Sequence, residues 1–102
     1  MISAKKPERI FGQAGVPIYK ATPDFWTCYQ NLPRKIQQLA DKNFELLKQD
    51  SKHPSLHLKK VGAYWSARVG THYRTLAFED EEVLVWFWIG KHDEYMRLIR
   101  SP

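Results

Sequence analysis

The chain has 102 residues, 43% hydrophobic and 26% charged. That balance fits one folded domain spanning residues 1–102 and excludes both a disordered chain and a membrane protein. Sixteen Lys and Arg against eleven Asp and Glu give a formal charge of +5. The excess predicts a polyanionic partner, although a total charge locates no site. The longest apolar run, Val83 to Ile89, falls far short of the roughly 20 residues of a bilayer crossing. No apolar export segment follows Met1, so a cytoplasmic protein is expected. A lone Cys28 leaves no internal disulfide and no cysteine-based zinc knuckle.

Residues 1–16 mix Lys5, Lys6, Pro7, Gly12 and Gly15 without a period and read as an irregular lead-in. Pro17 lacks the N–H of a ladder donor and suits the start of a short edge strand continuing through Ile18, Tyr19 and Lys20. Thr22-Pro23-Asp24 is a helix start: a capping hydroxyl, a proline at the first turn and an acid facing the positive end of the dipole. This first helix, with Phe25, Trp26 and Tyr29 inward, ends by Asn31. Pro33 opens a second helix to about Gln49, whose apolar residues Ile36, Leu39, Ala40, Phe44 and Leu47 recur at spacings of three and four. The short link between the two makes a helical hairpin.

From Pro54 the period changes to two. Leu56 and Leu58 alternate with His57 and Lys59, Trp65, Ala67 and Val69 alternate with polar neighbours, and Tyr73 to Phe78 is rich in β-forming residues. Val83 to Ile89 is apolar on both faces and belongs inside the sheet, with Gly90 ending it. Asp93 to Arg100 is a short terminal helix or tail anchored by Tyr95, Met96, Leu98 and Ile99. The expected fold is α+β: an N-terminal helical hairpin packed on one face of a three- or four-stranded antiparallel sheet.

Charge is unevenly placed along this frame. Ser51 to Phe78 contains no acid but holds Lys52, Lys59, Lys60, Arg68 and Arg74 with His53, His57 and His72, and four acids, Glu79 to Glu82, follow at once. A three-residue loop at Gly70-Thr71-His72 would set Val69 opposite Tyr73 and therefore Arg68 opposite Arg74. Two facing guanidinium groups repel, and a phosphate between them turns the repulsion into paired hydrogen bonding. His92 follows the inner strand at its end, where an imidazole can exchange a proton near neutral pH. Tyr95, three residues on, is a packing residue, or one that stacks on a base or helps transfer a proton. A zinc site from His53 and His57 lacks a third ligand, and Cys28 sits among packing residues.

The helix hairpin followed by "PSLHLKKVG", "YWSARVGTHYRTLAF" and "EEVLVWFWIGKHDEY" resembles the RelE/ParE superfamily of bacterial type II toxins, over roughly Tyr19 to Ile99. The resemblance rests most on Arg68-Val69-Gly70 with Tyr73-Arg74, and on Trp88-Ile89-Gly90-Lys91-His92 with Tyr95. It implies a small toxin neutralised by a cognate antitoxin protein. In RelE-like members it implies a ribosome-dependent endoribonuclease that cuts mRNA without metal or other cofactor, by attack of a ribose 2′-hydroxyl on the adjacent phosphate. By the same resemblance Arg68 and Arg74 hold the scissile phosphate, and His92 or a lysine of the Lys59-Lys60 pair is the acid or base. Tyr95 orients the substrate, and Lys59, Lys60, His57 and Lys91 bind RNA. ParE-like members share the fold and inhibit DNA gyrase without cleaving RNA, which is the alternative reading.

Overall fold

The computed structural model describes residues 18–100; the lead-in at 1–16 lies outside them. Strand β1 (Ile18–Ala21) leads into helix α1 (Pro23–Gln30), started as its sequence predicts, with the Thr22 hydroxyl oxygen accepting from the Phe25 N–H at 3.1 Å. Helix α2 (Arg34–Gln49) folds back on α1. The side-chain amide of Gln37 donates to the Tyr29 carbonyl at 2.9 Å, and the Tyr29 hydroxyl donates to Asp41 at 2.7 Å. These two bonds fix the turn of the hairpin.

Five strands form one sheet in the order β1-β5-β4-β3-β2, where β2 is Lys59–Val61, β3 Tyr64–Val69, β4 Tyr73–Asp80 and β5 Val83–Lys91. The expectation of three or four antiparallel strands is corrected in two ways. Strand β1 joins the edge in parallel, pairing Ile18 with Val83 through Ala21 with Trp86. The segment expected to open a strand at Leu56 instead makes a 3-10 turn, Pro54–Leu56, which ends at His57 in the left-handed region (φ 49°) and confines β2 to three residues. Leu56 is buried as an anchor rather than as a strand residue. Strand β5 lies inside the sheet, between β1 and β4, as its two apolar faces require.

One irregularity sets the geometry of everything after it. Leu76 pairs with Trp88 but Ala77 pairs with Trp86, so Phe87 is an extra residue on β5. This bulge reverses the alternation. Leu84 and Trp86 pack on the hairpin side with Tyr19, Leu47, Ala67 and Ala77, whereas Trp88 packs on the opposite side with Leu76 and Tyr95. The Thr75 hydroxyl donates to the Trp88 carbonyl at 2.8 Å across the same place. Gly90, opposite Arg74, sits against the Trp88 ring, where an added Cβ would come within 2.6 Å.

The hairpin side is loosely filled. No residue of α1 is buried and only Leu47 of α2 is, while a cavity of about 140 Å³ remains between hairpin and sheet beside Phe25, Tyr29, Phe44, Val69 and Trp86. Helix α3 (His92–Arg100) covers part of the other face, so the helices do not share one side. Tyr95 is buried there, with Met96 and Ile99 packed alongside, but Leu98, expected as a fourth anchor, is exposed. None of the described helices is long and apolar enough to cross a membrane.

Candidate functional site

The β3–β4 hairpin has the three-residue loop its sequence predicts, and Arg68 faces Arg74 across the ladder, with Ala67 opposite Thr75 and Val69 opposite Tyr73. Cα atoms of facing residues stand about 5 Å apart, which brings the two cations together on one sheet face. Arg74 shows the cost: partial burial first, and then the Arg68 charge, hold its guanidinium below the usual range, while the Tyr95 oxygen acts in the opposite sense. Its Nη1 donates to the carbonyls of Tyr73 at 2.8 Å, Thr71 at 3.2 Å and Gly70 at 3.4 Å. One nitrogen of the fork thus braces the loop.

Stepping two residues along each strand keeps to the same face. From Arg68 that leads to Ser66, whose partner on β4 is Leu76 and on β2 is Lys59. Lys59 therefore stands in the row next to the arginine pair. Lys60 does not: it pairs with Trp65, its ammonium lies 5.6 Å from that ring, and it forms an ion pair with Glu79 at 3.3 Å. The two lysines implied to act together are divided between the faces.

His92 starts α3, and its backbone N–H donates to the His72 carbonyl at 2.8 Å, tying the helix start to the hairpin loop. Its ring lies 5.5 Å from that of Tyr95. Tyr95 is only 5% exposed, its ring enclosed with Leu76 and Trp88, so it offers no platform for a base. What it contributes is the hydroxyl, bonded to Ser66 Oγ at 3.0 Å. Lys91 pairs with Tyr73, and alternation from Gly90 turns it toward the other face. His57 is exposed and precedes β2, outside the strand ladder.

The face thus gathers Arg68, Arg74, Lys59, His92 and the Tyr95 hydroxyl, and leaves Lys60 and Lys91 aside. Ser66 was missed in the sequence, although its place two residues before Arg68 puts it on that face. Among the described residues no group of three or more His, Cys, Asp or Glu side chains is placed to hold a metal ion. Chemically, the cluster can bind a dianionic or phosphodiester group between two guanidinium forks with an imidazole at its border.

No family model and no curated protein matches the chain. Solved structures do. The RelBE2 toxin–antitoxin complex from Mycobacterium tuberculosis is 22% identical, covering 76% of this chain and 93% of that one, with a TM-score of 0.56. The RelB–RelE antitoxin–toxin complex from Methanococcus jannaschii is 18% identical over 78% and 96%, at 0.58. YafQ from E. coli strain BL21(DE3) is 10% identical over 78% and 97%, at 0.59. The class these similarities define is a small α+β fold, a helical hairpin and a mixed sheet. More particularly, the chain has the fold of the RelE-type toxins.

Proposed function

We propose that the chain is the toxin of a toxin–antitoxin pair and an endoribonuclease that cuts mRNA during translation in the cytoplasm. The shared fold supports the toxin reading, since similar chains were solved as antitoxin–toxin complexes. The observation that carries the nuclease reading is the Arg68–Arg74 pair, like charges held opposite one another beside His92 and Lys59. The pair repels in the free protein and is matched by a phosphate.

The mechanism follows from this placement. Arg68 and Arg74 grip the non-bridging oxygens of the scissile phosphate and offset the charge that grows there in the transition state. A base, His92 or Lys59, takes the proton of the neighbouring ribose 2′-hydroxyl; the 2′-oxygen bonds to phosphorus, the P–O5′ bond breaks, and the departing 5′-oxygen receives a proton from the other of the two. The products are a 2′,3′-cyclic phosphate and a 5′-hydroxyl. The protein partner is a cognate antitoxin. The structures above give no support to the gyrase-inhibitor alternative.

Induced expression of the wild type should arrest protein synthesis and leave new 5′-hydroxyl ends inside translated mRNA, and Arg74→Ala should leave transcripts whole. Growth arrest with intact transcripts would sink the nuclease reading.

A further inference from the structure

Ser66 is an unusual residue to find where it is. Its side chain lies in the middle strand of the β2–β3–β4 ladder, 2% exposed, facing Leu76, which is fully buried. A buried hydroxyl is costly without a partner. The partner is the hydroxyl of Tyr95, 29 residues away at 3.0 Å. Removing both hydroxyls, by Ala and Phe, would leave the shape of the core intact, and exchanging a whole buried hydrogen-bonded pair for apolar groups is close to neutral in stability. Stability therefore does not account for the pair.

Its position does. Ser66 stands one step along the same face from the Arg68–Arg74 pair, and the Tyr95 ring neighbours His92. We infer that Ser66 is a positioning residue for phosphodiester cleavage: by donating to the Tyr95 oxygen, Ser66 Oγ fixes the phenol's rotation and leaves its own O–H to point at the phosphate held by Arg68 and Arg74. This rests on the nuclease reading above. The hydroxyl donor aimed at the developing charge is Tyr95; Ser66 touches no substrate and acts through it. A donor so fixed contributes where charge develops in the transition state more than in substrate binding.

The test uses the full chain on ribosomes carrying a defined mRNA, with single-turnover cleavage as one readout. The second is the affinity for the same mRNA with a 2′-deoxy nucleotide at the cut site. Ser66→Ala, Tyr95→Phe and the double variant should each cleave about tenfold or more slowly at saturation, bind the uncleavable message as the wild type does, and show no further loss when combined, because the two hydroxyls form one unit. Should Ser66→Ala prove unstable through the stranded Tyr95 hydroxyl, the double variant, which removes both groups, carries the test. Wild-type cleavage by a folded double variant, additive losses, or a loss confined to affinity overturns the inference and leaves the nuclease reading standing. A wild type that cuts no message removes both.

Discussion

On the hairpin side of the sheet, apolar residues from β1, the two hairpin helices, β3, β4 and β5 meet, Tyr19, Leu47, Leu84 and Trp86 among them, yet the helices sit loosely enough to leave a cavity of about 140 Å³. On the other side a single nine-residue helix covers only part of the face, but there the polar groups are tightly placed: a facing arginine pair, a buried hydroxyl pair and a helix start bonded to a loop. The first side holds the fold with side chains that tolerate imperfect packing. The second gives up some of that stability to a pair of like charges held opposite one another.

If the two sides are separable in this way, substitutions should sort cleanly. Arg74→Ala should have the largest effect, lowering cleavage by roughly 10³-fold, with a small loss of melting temperature from the hairpin carbonyls it braces. Arg74→Lys should recover little, since a point charge lacks the fork. Equal cleavage by all three proteins would break the division. Leu84→Ala, at a fully buried position of the hairpin side, should cost about 3 kcal/mol in urea denaturation while the folded fraction cleaves at the wild-type rate.

The lysines sharpen the boundary. Lys59→Ala should weaken RNA binding several-fold and reduce the salt slope by about one, whereas Lys60→Ala should leave both nearly unchanged; equal effects would place both lysines at the RNA. Smaller still is Glu82→Gly. Glu81 and Glu82 both hold left-handed backbone (φ 50° and 71°) in the two-residue β4–β5 turn, and glycine should raise stability by about 0.5–1 kcal/mol, read as a shifted urea midpoint.

The smallest effect should appear only in alkali. Burial pushes the Tyr19 phenol up from its ordinary value near 10. The folded protein therefore keeps a proton that the unfolded chain releases. That contribution is whole below about pH 10 and lost as pH rises beyond it. Tyr19→Phe should flatten the alkaline fall in stability, and because its hydroxyl bond to the Leu47 carbonyl is long, 3.4 Å, it should cost little at neutral pH. An unchanged alkaline limb would contradict this.

Local rules carried much of the fold: the Thr22 cap, the α2 stripe and the loop length that set Arg68 against Arg74 were all legible. The parallel pairing of β1 with β5 was not, because nothing within four residues names a partner across the chain. Alternation alone would have parted Lys59 from Lys60, since neighbours in a strand cannot share a face, but the resemblance treated them as a pair. Tyr95 was expected as an anchor and is buried, but its packing against Trp88 was hidden for another reason. It depends on Trp88 having changed sides, and no residue type in β5 announces an extra place.

That extra place at Phe87 has a consequence of its own. Up to Trp86 the strand counts toward the hairpin, and from Phe87 it counts toward the arginines, so the tryptophan wall, the glycine beside Arg74 and the start of α3 at His92 are all indexed by one inserted residue. Were the ladder regular beyond Trp86 with Phe87 retained, Phe87 would face Leu76, Trp88 would turn to the hairpin layer opposite Thr75, and Ile89 would stand opposite Arg74. In this small domain the reading frame of a strand, as much as its composition, decides which surface has chemistry.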